Sequence, residues 1–522
     1  MDPVLDLIRD KTLTYRQKLS ALARAGEDRA APLSIPPAVQ ALREAGVVCD
    51  LHEGPAPYRP RYVLPDYAAY LERGSAFLRV EPPRDLLEAV FALLALYRHV
   101  PSITGYPVWL GDLDGLLEPF VLRDPAALGL GGELAPAAEQ ALRLFLEQID
   151  RDNPDSFCHA DLGPASTAVG RAVLRHQAKA GRAVPNLSLR YDPGLTPDSF
   201  AEAAAACALD AAKPSFANHR LFQAEFEALG LAPYAIASCY NGLPVGGGSC
   251  TLVRLNLAAL AARALGPAAG PVDEAALAAF LSGPLAEAVQ ATLSYIDERV
   301  RFLVEESGFF ESSFLAAEGL VSLGRFTAMF GLVGLAECAN ALAGEGARGS
   351  AGRFGRGGPA DALGLRVLAE IDRLVAAHRI PGLSAAGGRC LLHAQVGIDT
   401  DRGVSPGVRV PIGEEPPLHE HLLCSAPFQA PFVAGSGDVF AFEPTARANP
   451  GQIVDAVKGF FASGGRYFSC YAADSDLVRV TGYLVKRSEV ERLRKGEAVA
   501  NGATALGMGA MDNLGVLDRA RR

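Results

Sequence analysis

The stretch PYAIASCYNGLPVGGGSCTLVRLNLAALAARAL, residues 233–265, decides how the rest of the chain is read. An apolar run ends on Cys239, three glycines follow at Gly246, Gly247 and Gly248, and a second run with good strand character rises to Asn256. Alanine and leucine then recur at helical spacing, which predicts strand, glycine-rich turn, strand and helix. Upstream, VPNLSLRYDP (184–193) reads as a short strand closed by proline, and LTPDSFAEAAAACALDAA (195–212) as a helix with Thr196 or Asp198 near its cap. Strands alternating with helices imply β/α units and a largely parallel sheet.

Further out the texture divides. Toward the N-terminus, helical periodicity predicts helices near 5–23, 37–45, 85–97 and 135–148, the last ended by the acidic loop DRDNPDS (150–156). Downstream, 272–307 and 310–342 read as long helices, the first broken near Gly283 and Pro284, and AGEGARGSAGRFGRGG (343–358) as a flexible loop. A helix over 360–377 precedes two strand candidates, RCLLHAQVGI (389–398) and GVRVPI (407–412). A helix over 449–462 and strands in YFSCYAA (467–473) and LVRVTGYLVK (477–486) follow.

The 522 residues carry 49 Lys+Arg against 59 Asp+Glu, a formal net charge of −10, with 49% hydrophobic and 21% charged residues. Those proportions are globular and exclude disorder, collagen or a coiled coil as the dominant state. Negative charge without basic blocks argues against a nucleic-acid or anionic-membrane footprint. Nine scattered cysteines with no CxxC pair make neither a disulfide framework nor a zinc ribbon, and suit a reducing cytoplasm. The start MDPVLDLIRD has no basic segment leading into an apolar one, and runs such as FTAMFGLVGLA (326–336) fall short of the ~20 residues that span a bilayer. Small-molecule chemistry is the expectation.

Two segments carry chemistry. A thiol at the end of an apolar strand, turning beside three glycines, is held rigidly where backbone can approach it closely. Against that stands a buried cysteine that only packs, since free cysteine behaves as a small hydrophobe. In LVRVTGYLVK, Gly482 interrupts a strand-like run, and such a glycine ordinarily marks a bulge or a close backbone approach. Glycine also has a chemistry of its own. An unpaired electron on a backbone Cα is shared with the flanking amides only if that carbon flattens, and the absence of a Cβ makes this easiest.

Other candidates weigh less. Asn218 and His219, in PSFANHR (214–220), either line a substrate pocket or serve as helix-capping groups, and Asn241 lies on the cysteine turn itself. Cys250 reads as a packed strand residue rather than a second redox thiol. His419 and His421 with Cys424 lack a fourth metal ligand and read as a surface loop. Cys158, His159 and Asp161 are too close in sequence to make a triad easily.

RVTGY (479–483) resembles the RVxGY motif near the C-terminus of glycyl radical enzymes, and YAIASC (234–239) resembles the strand entering their cysteine loop. VPNLSLRYDPGLTPDSFAEAAA (184–205) is similar to the strand and helix preceding that loop, and RLNLAAL (254–260) follows it at a spacing like that of pyruvate formate-lyase. The likeness covers 184–256 and 451–486. Within the superfamily, SCYNGLPVGGGSCTLVRLNL (238–257), the length and the tail resemble the YjjI family most. Departures mark the limits. Ser238 stands where pyruvate formate-lyase has the other of two adjacent cysteines, which puts acyl transfer by a cysteine pair in doubt. Asn241 stands where lyases and dehydratases carry a glutamate, and an amide cannot serve as that general base. The four-cysteine zinc site of the anaerobic ribonucleotide reductase cannot be built from Cys424 and Cys470, and Arg487 replaces an aromatic that often closes the radical motif.

The resemblance implies an α/β fold: a ten-stranded β/α barrel of two antiparallel-related half-barrels, with peripheral helices and the cysteine and glycine loops inside. It divides the chain into a mainly helical part over 1–150 packed on the barrel, a barrel region with the cysteine loop over 151–450, and a glycyl radical region with its tail over 451–522. It further implies that a radical S-adenosylmethionine activase installs a radical on Gly482, with no cofactor bound in the enzyme itself and no metal. The Cys239 thiyl then abstracts hydrogen from a small polar substrate, with Arg479, Thr481 and Tyr483 supporting the radical loop. Partners are the activase and the substrate, without nucleic acid or membrane; a homodimer is compatible with this. The setting is anaerobic, oxygen-sensitive and cytoplasmic, and the class is left among lyase, transferase and reductase. Two rivals stand beside it: a cysteine-nucleophile enzyme using Cys239 with a histidine such as His219, and a non-catalytic barrel scaffold.

Overall fold

The computed structural model describes residues 3–51, 53–101, 109–237, 239–266, 271–344, 351–394 and 401–522. Its central strands are buried on both faces, so their sequences run apolar without alternation. Gly247–Asn256, Phe326–Val333 and Cys390–Ala394 pair in parallel in that order. Val48–Cys49 and Tyr62–Leu64 add antiparallel pieces on Gly247–Asn256. In a second sheet Trp109–Asp112, His159–Leu162, Asn186–Tyr191 and Ser215–Asn218 are all parallel. Chain direction then reverses, because Ser215–Asn218 pairs antiparallel with Tyr467–Ala472, which is itself parallel to Asp438–Phe442. Two sets of parallel strands of opposite direction thus meet at the pairing of Phe216 with Phe468.

Several expectations are corrected here. Residues 310–342 are not one helix: FTAMFGLV (Phe326–Val333) is a central strand, flanked by short helices before it and Leu335–Leu342 after it. A strand buried on both faces and a buried helix present the same apolar run, so periodicity could not separate them. The helix of 272–307 is not broken at Pro284. A π turn, Leu281–Leu285, absorbs the proline, and the helix continues through Ala286–Arg301. The run Glu274–Ser312 is long and apolar enough to cross a bilayer by length and composition, yet it packs on Gly247–Asn256 and buries Arg299 completely. Part of the glycine-rich segment 343–358 falls outside the described residues. The rest packs, with Phe354 buried and its N–H donating 2.8 Å to Asn340. GVRVPI is not a strand but irregular chain, and the helical first part contributes strand Trp109–Asp112 to the second sheet.

The segment 233–265 contains one more strand than its reading predicts. Tyr234–Ala237 and Asn241–Pro244 form an antiparallel hairpin with Cys239 in its turn; Val245 and Gly246 make the next connection, and Gly247 and Gly248 open the following strand. There the chain needs glycine: a Cβ on Gly247 would collide with the Arg325 carbonyl, and one on Gly248 with that of Tyr62. Tyr234–Ala237 packs on Trp109–Asp112 and His159–Leu162 of one sheet, whereas Asn241–Pro244 packs on Gly247–Asn256 of the other. The cysteine hairpin therefore stands between the two sheets.

Candidate active site

LVRVTGYLVK is a second hairpin. Leu477–Arg479 pairs antiparallel with Leu484–Lys486, and the Val480 N–H donates 3.1 Å to the Tyr483 carbonyl to close the turn. Gly482 is in that turn, and the turn meets the cysteine hairpin head on. A β-carbon built on Gly482 would overlap the Cβ of Cys239 and stand 2.6 Å from its Sγ. Gly482 is not among the glycines of positive φ, so space rather than torsion requires glycine here. Both residues are buried, away from bulk water.

A side-chain frame holds the glycine turn. The Gly482 carbonyl accepts from Asn186 Nδ2 at 2.9 Å and Arg479 Nη1 at 3.1 Å. Arg479 also donates to Asn186 Oδ1 at 3.0 Å and, through Nε, to the Ala212 carbonyl at 2.6 Å. This guanidinium is wholly buried, and desolvation pulls its pKa below the usual arginine range. A planar fork fits three acceptors that an ammonium cannot reach together. Arg479→Lys is accordingly expected to lower unfolding free energy by about 1–3 kcal/mol in urea denaturation; an unchanged midpoint would show the frame to be dispensable.

The chain's last residues clasp the same hairpin. Arg519 donates 2.7 Å to the Arg479 carbonyl, 2.8 Å to that of Val480 and 3.2 Å to the Tyr471 hydroxyl. Ser156 exchanges hydrogen bonds with the Leu484 backbone, and the Tyr483 ring lies 4.7 Å from that of Phe157. Removing the clasp should loosen the turn without unfolding the sheets. In Arg519→Ala, amide exchange over 477–486 should quicken by about 10- to 100-fold, while that of Phe326–Val333 stays unchanged. Equal exchange in the two proteins would disprove the clasp.

Around the cysteine turn the strands supply polar groups. Asp161 Oδ2 accepts from the Ile236 N–H at 2.6 Å, and Ser188 Oγ lies 2.9 Å from both His159 Nε2 and the Tyr467 hydroxyl. The Tyr240 ring is edge-on to His393, whose pKa burial depresses to about 3, so that imidazole is neutral. Thr481 Oγ1 and Asn241 Oδ1 are buried without hydrogen-bond partners.

These two hairpin turns hold the segments that identify the chain, and a family model described as glycyl radical enzyme YjjI-like matches residues 13–522. The chain belongs to the YjjI-like glycyl radical enzyme family. An uncharacterized protein of Haemophilus influenzae is 41% identical over 529 residues, covering 100% of this chain and 98% of that one. The uncharacterized protein YjjI of Escherichia coli is 38% identical over 518 residues, 99% of this chain and 95% of that one. Among solved structures, one for 1,2-propanediol dehydration in Roseburia inulinivorans has a TM-score of 0.68 at 12% identity, covering 100% of this chain and 88% of its own. The B12-independent glycerol dehydratase of Clostridium butyricum gives 0.68 at 11%, with 100% and 88% covered. The anaerobic ribonucleotide reductase of Thermotoga maritima gives 0.63 at 14%, with 94% and 92% covered. At such identities the likeness is one of fold, the α/β barrel architecture of glycyl radical enzymes.

In this YjjI-like enzyme the candidate residues scatter. Cys239, Asn241, Arg479, Thr481, Gly482 and Tyr483 gather at the meeting of the hairpins, whereas Ser238 lies outside the described residues. Asn218 serves as a capping group: its Oδ1 caps helix His219–Ala228 and its Nδ2 donates 2.9 Å to the Gly465 carbonyl. His219 sits at the base of the cysteine hairpin, Nδ1 2.8 Å from the Tyr234 hydroxyl, with burial lowering its pKa. Cys158 points away from His159 and accepts from the Tyr97 hydroxyl at 2.8 Å, so no triad forms. His419 and His421 lie on helix Leu418–Gln429, not a loop, and the buried His421 is 2.9 Å from Arg522. Asn186, His393, Arg409 and Arg519 went unread, because each reaches the site across a long sequence separation. Asn186, His393 and Arg409 lie in the quoted VPNLSLRYDP, RCLLHAQVGI and GVRVPI, where only strand character is legible.

Proposed function

We propose that this enzyme stores an organic radical on Gly482 and relays it through Cys239 to a small polar substrate. The collision of any Gly482 β-carbon with Cys239 carries the reading, because it leaves only a hydrogen between that α-carbon and the sulfur. In the relay the Gly482 radical takes the thiol hydrogen, restoring glycine and leaving a thiyl. The thiyl takes a substrate hydrogen and becomes a thiol again. After the substrate radical rearranges, the thiol returns a hydrogen to the product radical, and the resulting thiyl takes one from Gly482. S–H and C–H bonds are close in strength, so no step is steeply uphill, and near-contact geometry supplies the rest. Burial keeps water and oxygen from the radical. Asn241, an amide, offers no proton acceptor two residues past the thiol, so an elimination here takes its base from elsewhere.

The reading includes a separate radical S-adenosylmethionine activase and an anaerobic, cytoplasmic setting. Activation draws the glycine hairpin out past the Arg519 clasp, as gated sites require. Support comes from the family and from the dehydratases and reductase that share its fold. The test is electron paramagnetic resonance after anaerobic incubation with the activase, S-adenosylmethionine and a reductant. A doublet from the remaining α-hydrogen is expected, collapsing when glycine is deuterated at the α-carbon. Without any doublet the proposal fails.

A further inference from the structure

Arg409 is 8% exposed and lies with its guanidinium carbon 5.5 Å from the centre of the Tyr240 ring, directly beside the cysteine. Its Nε donates to the Gly437 carbonyl. Both terminal nitrogens, Nη1 and Nη2, are buried with no hydrogen-bond partner among the described residues, carboxylates included. No other described arginine has both terminal nitrogens in that condition. The contrast with other buried arginines is sharp. Arg479 has each nitrogen engaged, Arg254 is paired bidentately with Asp401, and Arg299 with Glu53 and Asp50. A buried, hydrogen-bond-starved guanidinium is costly unless something that joins later completes it.

Resting on the radical reading of this site, we infer that Arg409 receives a carboxylate of the substrate, so that the substrate is a small carboxylic acid. Two free, coplanar N–H groups match the two oxygens of a carboxylate. One arginine balances one negative charge, whereas a phosphate dianion would leave charge uncompensated, since Arg479 is fully spent and the nearby His393 is neutral. Asn241 Oδ1 and His393 Nδ1, buried and unpartnered around the same tyrosine, suit a hydroxyl or amine on the rest of the molecule. The carboxylate anchor thus lies against the ring of Tyr240, the residue that follows Cys239 in the chain.

The experiment uses the full-length, radical-free protein, so it is independent of whether a glycyl radical forms. Acetate is the probe, small enough for any site that accepts a carboxylate, with acetamide as its uncharged counterpart; both are titrated by ligand-observed nuclear magnetic resonance at constant ionic strength. Acetate should bind at least about tenfold tighter than acetamide, and Arg409→Met should erase that preference. Since the variant removes an uncompensated buried charge, its Tm should equal or exceed that of the wild type. Arg409→Lys keeps the charge but loses the fork and should retain preference at about tenfold lower affinity. Wild type that binds no acetate, acetamide binding equally well, or a preference that survives in Arg409→Met each overturns the inference. A radical signal together with no acetate binding would sink the carboxylate alone.

Discussion

Gly482→Ala should yield a folded protein that shows no glycyl doublet and no turnover under any activation regime. Two physical effects combine. The added methyl overlaps the Cys239 β-carbon, so one of two buried turns must retreat, and overpacking of this kind costs about 1–3 kcal/mol of stability. Backbone torsion adds nothing, because the residue does not occupy the positive-φ region. Chemistry then removes the rest: a tertiary α-carbon flattens against its methyl group, and retreat of the turn lengthens the path to sulfur. Urea denaturation measures the first effect and electron paramagnetic resonance the second. A variant with a wild-type doublet would assign the radical to another residue. Loss of stability with turnover intact would make the glycine a packing requirement and nothing more.

The contact that motivates this experiment was legible in two short strings, and the reason is chemical. The proposed relay between an α-carbon and a sulfur calls for glycine and cysteine, so RVTGY and YAIASC mark it in residue type. The surrounding frame is built from interchangeable groups. Arg479, Asn186 and Arg519 all use ordinary hydrogen bonds to carbonyls, which any arginine or asparagine could make, and only the fold brings residues 186, 479 and 519 together. Arg409 was hidden further, on a segment whose alternation in GVRVPI suggests a strand. Its valines are buried, but it bends between turns instead of pairing, so alternation reported burial and not a ladder. Asn218 illustrates an ambiguity of residue type. An asparagine before a helix suits a cap as well as a pocket, and the cap won because the Leu221 N–H and the Gly465 carbonyl were both in reach.

Fold was legible where turns punctuate and illegible where burial is complete. Helix Leu86–Tyr97 begins on Asp85, whose side chain accepts from Glu88, and helix Tyr15–Glu27 begins on a capping box at Thr14; each start is written in local chemistry. Phe326–Val333 has no such mark. With strands on both sides and side chains packed on both faces, its pattern is decided by neighbours more than 60 residues away, at Ser249 and Cys390.

Replacing the sulfur separates radical storage from radical use, and this gives the second large effect. In Cys239→Ala the glycine turn keeps its bonds to Asn186, Arg479 and Arg519, none of which involves the thiol, and only a small cavity opens, costing about 1 kcal/mol. With activation at Gly482 as proposed, the doublet should form to within about twofold of the wild-type yield, a free-energy difference well under the 1.4 kcal/mol that makes a factor of ten. Turnover should nonetheless vanish, since the stored electron has no hydrogen donor of matched bond strength to reach the substrate. Cys239→Ser sharpens the point: shape and polarity are nearly kept, but an O–H bond is too strong for an α-carbon radical to break, so this variant too should hold its radical and stay inert. A nucleophilic cysteine predicts otherwise. It would work in air without activation, and serine would keep a trace of reactivity through the same base. Turnover by Cys239→Ser without activation, or a doublet lost in Cys239→Ala while the hairpin stays folded, would therefore break the relay at its middle link.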